Sequence, residues 1–158
     1  MKLLIFSDSH GDTKAMAAIA ARFSGDAAHL LFLGDYVRDC GSLKNVFGGA
    51  IHVIAGNCDY GCGYPDVAEL NIAGKKILMT HGHSFRVKSG FDGIIAAAKV
   101  HNADICLFGH THVPASFYDS GIFFLNPGSI SLPRGLEGKS YAVIEIIDGN
   151  ILSRIIEI

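Results

Sequence analysis

The sequence has no tryptophan, only four prolines, and only 18% charged residues among its 158 positions. Lysine and arginine together number 13 against 15 aspartates and glutamates, and no run of basic residues is longer than two. A general nucleic-acid binder would carry a clustered basic surface, which this composition does not provide. We therefore expect no stable nucleic-acid partner.

Long hydrophobic runs are also missing. No stretch approaches the roughly 20 apolar residues that a membrane-spanning helix needs, and Asp8 and His10 interrupt the first apolar run before it reaches the length of a secretory signal. The cysteines show no CxxC spacing, so free thiols in a reducing compartment are expected. These four residues are Cys40, Cys58, Cys62 and Cys106. The sequence thus predicts a cytoplasmic protein without membrane association.

Hydrophobic residues, by contrast, make up 49% of the chain, enough for one well-buried core. In the first third, short continuous apolar runs alternate with helical segments, a pattern typical of parallel strands buried on both faces. The predicted strands span residues 3–7, 30–33 and 51–55, and the predicted helices span 12–23, with Asp12 as its cap, and about 42–47. The glycine-rich stretch 56–65 predicts a loop.

The second half is richer in strands. A helix is predicted at 90–101 and a strand at 105–108, and three hairpins are predicted from paired apolar runs around turn residues. The hairpins span 67–80 around Gly74-Lys75, 116–125 around residues 119–121, and 140–156 around Asp148-Gly149-Asn150. A strand-rich end after a βαβ start implies mixed sheets. We therefore predict a single α/β domain over residues 1–158, a four-layer sandwich of two mixed β-sheets flanked by helices.

Five of the apolar runs end in polar residues that are common metal ligands. In chain order these are Asp8 and His10, Asp35, Asn57, His81 and His83, and His110 and His112. In open α/β folds, ligands bind beyond the carboxyl ends of the strands. Each residue alone could be a turn, a helix cap or a hydrogen-bonded structural residue. Together, carboxylates, imidazoles and an amide at the same end of five buried strands indicate a metal site.

These motifs resemble those of the calcineurin-like metallophosphoesterases, in particular the small single-domain members that hydrolyse phosphodiesters. The family pattern is D-x-H, G-D, G-N-H-D/E, a His after a strand, and G-H-x-H. The chain carries Asp8-Ser9-His10, Gly34-Asp35, Gly56-Asn57-Cys58-Asp59, His81 within Thr-His-Gly-His, and Gly109-His110-Thr111-His112. With the turn at 126–129, which closes one side of the site in the family, the resemblance spans most of the chain.

The resemblance implies a centre of two divalent metal ions. One ion would be held by Asp8, His10, Asp35 and His112, and the other by Asp35, Asn57, His81 and His110. Asp35 would then bridge ions about 3.5–4 Å apart, and a metal-bridging hydroxide would attack the phosphorus of a small phosphodiester. Manganese is the expected ion, with nickel, iron or zinc as alternatives that suit the same ligands.

The family pattern is broken at Cys58, where many relatives carry a histidine that stabilises the transition state or protonates the leaving group. A thiol with a pKa of about 8.5 does this less well, so activity is expected to depend more strongly on leaving-group acidity. Asp35, Asn57, Cys58, Asp59 and His83 form the set of predicted catalytic residues. Hydrogen bonding within the loop is the alternative role for Asp59, and a supporting or surface position is the alternative for His83.

Two other functions share parts of this pattern. A metal-binding interaction scaffold with little or no catalysis exists on the same fold in the retromer subunit of the family, but the complete ligand set favours an enzyme. A metallo-β-lactamase-like hydrolase is excluded because Val113-Pro114 follows His112 where that pattern requires Asp-His. The expected partner is therefore a small phosphodiester substrate. Apolar residues of the terminal hairpin would permit a homodimer or a higher homo-oligomer.

Overall fold

The computed structural model describes residues 1–135 and 138–158. Within these residues it contains two α-helices and ten strands. The helices are α1 (Thr13–Phe23) and α2 (Asp92–Val100). The strands are β1 (Lys2–Phe6), β2 (His29–Phe32), β3 (Ala50–Val53), β4 (Val67–Ile72), β5 (Lys75–Thr80), β6 (Ile105–Leu107), β7 (Ala115–Asp119), β8 (Ile122–Asn126), β9 (Ser140–Ile147) and β10 (Asn150–Glu157).

The strands form two five-stranded sheets, and both sheets are mixed. The first has the order β10-β9-β1-β2-β3, in which β1, β2 and β3 run parallel and β9 is antiparallel to both of its neighbours. The second has the order β4-β5-β6-β8-β7, in which three parallel central strands are flanked by antiparallel β4 and β7. The predicted fold class is confirmed.

Side-chain alternation along the strands separates the core into layers. Leu3 and Ile5 of β1 point between the two sheets, where they meet residues of β5 and β6. Leu4 and Phe6 point the other way and pack with Met16 of α1. A strand buried on both faces reads as an unbroken apolar run because every side chain, odd or even, enters a core layer.

The outer face of the second sheet is covered by α2. Leu78 of β5 and Cys106 of β6 pack there with Ile94 and Ala98 of the helix. With α1 on the other sheet, this gives the four layers. In the described part of the chain, neither helix combines the length and hydrophobicity that a membrane crossing requires.

Helix α1 begins as the sequence predicts. The Asp12 side chain accepts a hydrogen bond from the Ala15 N–H, which satisfies one of the free donors in the first turn. Met16, Ile19 and Ala20 form its buried stripe at the helical spacing of three and four residues.

Two local predictions were wrong. The segment 42–47, expected to be a helix, is a turn. Leu43 and Phe47 are both buried, but the only helical segment there is a 3-10 turn at Val37–Ser42. Glycines on either side leave too few residues for a stable α-helix. The first hairpin turns at Ala73-Gly74, one residue earlier than expected, because Lys75 already pairs with Ile72. Both turn residues have positive φ, as a tight hairpin requires.

Candidate metal centre

The carboxyl ends of four strands meet at one end of the sandwich. Asp8 and Asp35 follow β1 and β2 of the first sheet, whereas His81 and His110 follow β5 and β6 of the second. Backbone hydrogen bonds hold the loops together: Asp8 N–H donates to Gly34 O, and Gly109 N–H donates to His81 O, both at 3.0 Å. The sequence prediction that strand ends assemble these residues therefore holds for both sheets.

One group of side chains combines two carboxylates and two imidazoles. Asp8, His10, Asp35 and His112 each offer one ligand atom, and these atoms lie within 4.8 Å of one another. His10 Nε2 is 3.7 Å from Asp35 Oδ2, and His112 Nε2 is 3.1 Å from Asp8 Oδ1. Nitrogen and oxygen donors in this number suit a divalent transition-metal ion.

A second group adjoins the first through Asp35. His81 Nε2 lies 3.5 Å from Asp35 Oδ1 and 3.2 Å from His110 Nδ1. Asp35 thus turns one carboxylate oxygen toward His10 and the other toward His81. Asn57 is exposed on the neighbouring loop, and its side-chain amide donates to Cys58 Sγ at 3.5 Å.

Hydrogen bonds orient two of the imidazoles as metal ligands require. His81 Nδ1 bonds to Leu33 O at 2.7 Å, and His112 Nδ1 bonds to Leu132 O at 2.6 Å. A nitrogen that bonds to a carbonyl oxygen carries the proton, so each Nε2 faces the carboxylates and can offer a lone pair there.

Two buried atoms at the centre indicate what this site binds. Asp8 Oδ1 and His10 Nε2 are buried, and among residues 1–135 and 138–158 neither has a partner in hydrogen-bonding geometry. A buried polar atom left unpaired costs about 1–3 kcal/mol. A cation coordinated by both atoms would remove this cost. The residues present therefore fit a metal ion.

The pKa values of the site histidines are set by burial and by the charged groups around them. Burial disfavours the imidazolium form, but the nearby carboxylates of Asp35 and Asp8 outweigh it and raise the pKa of His81. Burial is likewise outweighed for His112, whose pKa Asp8 raises. Burial and the charge of His81 lower the pKa of His110 to about 4. A metal ion would compete with protons for the nitrogens of His81 and His112.

The backbone of the site is unusual. Five of the seven predicted metal ligands have positive φ: Asp8 (55°), His10 (39°), Asp35 (62°), His110 (68°) and His112 (60°). Such a conformation costs a non-glycine residue about 1–3 kcal/mol, and it persists where the surrounding structure imposes it, often at functional sites. With this backbone conformation, the side chains of these loop residues point toward one centre.

Two motif glycines are required by close backbone approach. A Cβ at Gly56 would lie 2.2 Å from Asp35 Oδ1, and a Cβ at Gly109 would lie 2.0 Å from Ser7 Oγ. Real Cβ atoms do not approach other atoms this closely. The glycines before Asn57 and His110 thus let the loops pack directly against the carboxylates.

Both oxygens of the Asp59 carboxylate accept hydrogen bonds from backbone N–H groups. Its Oδ1 accepts the N–H groups of Tyr36 and Val37, each at 2.8 Å, and its Oδ2 accepts the Gly56 N–H at 2.9 Å. Asp59 therefore ties the loop at 56–59 to the segment that follows Asp35. These contacts correspond to the loop-bonding role, and its catalytic role stays a prediction.

Cys58 and His83 lie beside the two groups of ligands. The Cys58 N–H donates to Asp35 Oδ1 at 2.9 Å, while desolvation of the sulfur and the nearby carboxylates raise the pKa of its thiol to about 11. His83 has a buried Nδ1 without a hydrogen-bond partner in the described residues, and its ring centre is 5.5 Å from that of His81. Burial and the charge of His81 lower the pKa of His83.

Three supporting residues, Ser7, Ser9 and Asp39, were not identified from the sequence, whereas the turn at 126–129 was expected to close one side of the site. Ser7 Oγ donates to Asp8 Oδ2, and Ser9 Oγ donates to Asp39 Oδ2 at 2.7 Å, which also accepts the Gly11 N–H. From the predicted turn at 126–129, the Asn126 amide donates to Gly109 O and Ser129 Oγ donates to Asp8 O, both at 2.8 Å. Serines and an aspartate in loops have no sequence pattern that separates this role from ordinary solvation.

Sequence comparison finds a family and relatives over most of the chain. The model of the calcineurin-like phosphoesterase superfamily domain matches residues 1–149. The Bacillus subtilis protein named "Probable metallophosphoesterase YsnB" is 33% identical over 146 residues, covering 92% of this chain and 85% of that protein. Phosphodiesterase YfcE of Escherichia coli K12 is 28% identical over 176 aligned positions, covering 97% of this chain and 90% of that protein.

Structural comparison agrees. A predicted phosphoesterase from Streptococcus pneumoniae TIGR4 superposes with a TM-score of 0.85 at 33% identity, covering 99% of this chain and 88% of that chain. Vps29 from Entamoeba histolytica, solved in complex with zinc, superposes with a TM-score of 0.78 at 20% identity, covering 99% and 98%. At this lower identity the likeness to Vps29 shows the shared fold alone.

Proposed function

The chain belongs to the calcineurin-like phosphoesterase superfamily, and on this premise we propose that it hydrolyses small phosphodiesters with two bound divalent metal ions. The observation that carries the proposal is the position of Asp35. Its Oδ2 faces His10 at 3.7 Å and its Oδ1 faces His81 at 3.5 Å, so one carboxylate adjoins two groups of donors. A bridging carboxylate is the feature that two-metal phosphoesterase chemistry needs.

The two proposed sites share Asp35. Asp8, His10 and His112 complete the first, and His81, His110 and Asn57 complete the second. Two divalent ions, when bound, would activate a water for attack on phosphorus and neutralise the phosphoryl oxygens. Manganese is the ion we propose, with nickel, iron or zinc as alternatives, because nitrogen and oxygen donors in this mixture favour these ions over calcium and magnesium.

The charge balance of the centre suits a phosphodiester. Asp8 and Asp35 contribute two negative charges against the four positive charges of two divalent ions. The centre would therefore keep a net positive charge and attract a phosphodiester anion. The buried carboxylates and imidazoles already point at one another, so little reorganisation of the side chains would be needed on binding.

The residues around the centre have separate proposed roles. Asp59 holds the loop that carries Asn57 and Cys58 in place through its three backbone hydrogen bonds. His83, with a free buried nitrogen beside His81, is proposed to form a hydrogen bond to the substrate. The Cys58 thiol stays neutral at physiological pH because its pKa is raised to about 11. It would therefore be a weak proton donor to a leaving group.

Diester specificity is supported by a relative rather than by the metal ligands. YfcE, which is similar over 97% of this chain, is named a phosphodiesterase. The contrasting candidate is a non-catalytic scaffold, because the Vps29 proteins share the fold. Metal binding alone does not separate the two, since a Vps29 structure is itself complexed with zinc. Turnover does.

The test is a metal-reconstitution experiment. The protein is stripped with a chelator and reloaded separately with manganese, nickel, zinc or magnesium. Each form is assayed on bis(p-nitrophenyl) phosphate, on p-nitrophenyl phosphate and on cyclic nucleotides. We expect diester hydrolysis that is strongest with manganese, and a loss of about 100-fold in Asp35→Asn. Absence of hydrolysis with every metal, in protein whose circular dichroism shows it folded, would favour the scaffold.

A further inference from the structure

A cavity of about 330 Å³ opens directly beside the metal centre. We call it the tyrosine pocket, and its relevant lining residues are Tyr36, Arg38, Cys58, Asp59, Tyr60 and Cys62. Two contacts join it to the centre. The Tyr36 ring centre lies 4.9 Å from that of His10, and the Cys58 N–H donates to Asp35 Oδ1. A group attached to a phosphate at the metal centre would therefore reach this pocket.

The pocket has one free positive charge. The Arg38 guanidinium carbon lies 4.7 Å from the Tyr36 ring centre, so the aromatic ring holds the guanidinium in a stacked position. Arg38 is exposed, and within residues 1–135 and 138–158 it forms no salt bridge. A planar cation without a carboxylate partner is available to an anionic ligand that carries a flat ring.

The carboxylate in the pocket does not cancel this charge by pairing with it. Asp59 is buried, and its two oxygens accept three backbone N–H groups, from Tyr36, Val37 and Gly56. Arg38 is thus the group that remains free to meet a ligand.

Tyr60 supplies an open aromatic face. Its relative exposure is 104%, the highest of the large hydrophobic side chains that are exposed in the described residues. It projects from the glycine-rich loop, at the edge of the pocket. A fully exposed ring does not pack against the rest of the protein. Bases and other flat rings can therefore stack on it with useful affinity.

The cavity on the other side of this loop differs in charge. It has a volume of about 450 Å³, and Asn57, Asp66 and His83 line it together with Tyr60. Besides Asp59, which lines both cavities, it contains Asp66, and it has neither lysine nor arginine. The tyrosine pocket is the more positive of the two cavities. The organic group of an anionic substrate should therefore bind there.

We infer that the tyrosine pocket binds a planar aromatic ring carried by one ester group of the substrate, with Tyr60 stacking on the ring and Arg38 contacting it from the Tyr36 side. The substrate class is then an aryl or nucleoside phosphodiester rather than an alkyl one. This inference rests on the proposed function, because it places the phosphate at the metal centre. Tyr60 and Arg38 would be determinants of specificity, without a part in the chemical step.

A matched pair of ligands tests the inference by direct binding. Adenosine 5′-monophosphate and ribose 5-phosphate carry the same sugar phosphate, and only the first has a base. Calorimetry on the manganese-loaded protein should show the nucleotide binding about tenfold more tightly. Tyr60→Ala should bring the ratio close to one, and Arg38→Ala should lower it. Tyr118→Ala, which removes another exposed tyrosine on β7, should leave the ratio unchanged.

The outcomes separate the pocket from the proposed activity. A ratio near one in the unmodified protein, undetectable nucleotide binding, or a ratio that Tyr60→Ala leaves intact would each overturn the inference. Hydrolysis of bis(p-nitrophenyl) phosphate is measured on the same samples. Hydrolysis without a base preference means that the pocket inference fails and the proposed function stands. A base preference that depends on both Tyr60 and Arg38, without hydrolysis, means the reverse.

Discussion

The backbone N–H of His110 donates to Asp8 Oδ2 at 3.1 Å, although 102 residues separate the two. Asp8 follows a strand of the first sheet and His110 follows a strand of the second, so this bond joins the two sheets at the candidate metal centre. Ser7 Oγ donates to the same oxygen, which leaves Asp8 Oδ1 facing His112 and His81. The hydrogen bonds to Oδ2 orient the Asp8 carboxylate, so that Oδ1 is left to bind a metal ion.

Gly109→Ala should disturb this arrangement. The added Cβ would lie 2.0 Å from Ser7 Oγ and 2.9 Å from Asp8 Oδ2, so the carboxylate must move. We expect manganese affinity to fall about tenfold and the free energy of unfolding to fall by about 1–3 kcal/mol. Calorimetry and urea unfolding measure the two effects.

The control for this substitution is Gly41→Ala, where a Cβ meets nothing within 4 Å. The double variant Ser7→Ala/Gly109→Ala removes the nearest clashing atom, so its losses should be smaller than the sum of the single losses. Strictly additive losses would mean that the contact with Ser7 is not what makes Gly109 necessary.

His110→Ala and His112→Ala should empty different sites. His112 contacts Asp8 in the first group of donors, whereas His110 contacts His81 in the second. Each variant should therefore lose about one ion per chain and keep part of the other, because Asp35 still serves both groups. Metal counting after dialysis against manganese measures this, with His101→Ala, at the end of α2, as the control. Loss of both ions in each variant would contradict the division.

The sequence predicted the fold and the assembly of the site for related reasons. Strands buried on both faces produce continuous apolar runs, and polar residues directly after parallel strands lie at the carboxyl end of their sheet, where the two sheets meet. Asp8, Asp35, His81 and His110 could therefore be brought together without knowledge of the contacts. The helix expected at 42–47 failed because Leu43 and Phe47 have helical spacing in a segment too short to form a helix.

Other features of the site depend on tertiary contacts and leave no local pattern. The positive φ of His10 and Asp35 is imposed by the surrounding loops, since neither residue favours it strongly enough alone. The three bonds to Asp59 come from backbone N–H groups, which any residue carries. Arg38 stacks on Tyr36 across one intervening residue, and the backbone of Tyr36 is left-handed, with φ of 72°. Residue type alone predicts none of these.

Cys58→His should change how the rate depends on the leaving group. The thiol, with its pKa raised to about 11, gives little help to a poor leaving group, whereas an imidazolium can donate a proton. We expect the variant to gain most on diesters of weakly acidic alcohols, so that the rate varies less with leaving-group pKa. Rates for a series of substituted phenyl diesters give this slope, with Cys58→Ser as the matched control. An unchanged slope in Cys58→His would show that this position does not govern departure of the leaving group.

The N-cap of α1 should make stability depend on pH. Hydrogen bonds from Lys139 and from the Ala15 N–H lower the pKa of Asp12 below its ordinary value of 3.8. A carboxylate with a lowered folded-state pKa stabilises the protein above its unfolded-state pKa, and this contribution is lost as the pH falls through the folded-state value. Asp12→Ala should therefore cost about 1–2 kcal/mol at about pH 7, and less at about pH 3. Urea unfolding of the chelated protein at both pH values measures the difference.

Asp12→Asn separates the two contacts of this cap. The amide oxygen can still accept the Ala15 N–H, but the salt bridge to Lys139, 2.8 Å long in the structure, is lost. Because an exposed pair contributes only about 0.2–1 kcal/mol, Asp12→Asn should be less destabilising than Asp12→Ala at about pH 7. Lys139→Ala should match Asp12→Asn, because both remove only the ion pair. Equal losses in Asp12→Asn and Asp12→Ala would instead assign the stabilisation to the charge of Asp12 and not to its hydrogen bond with the helix.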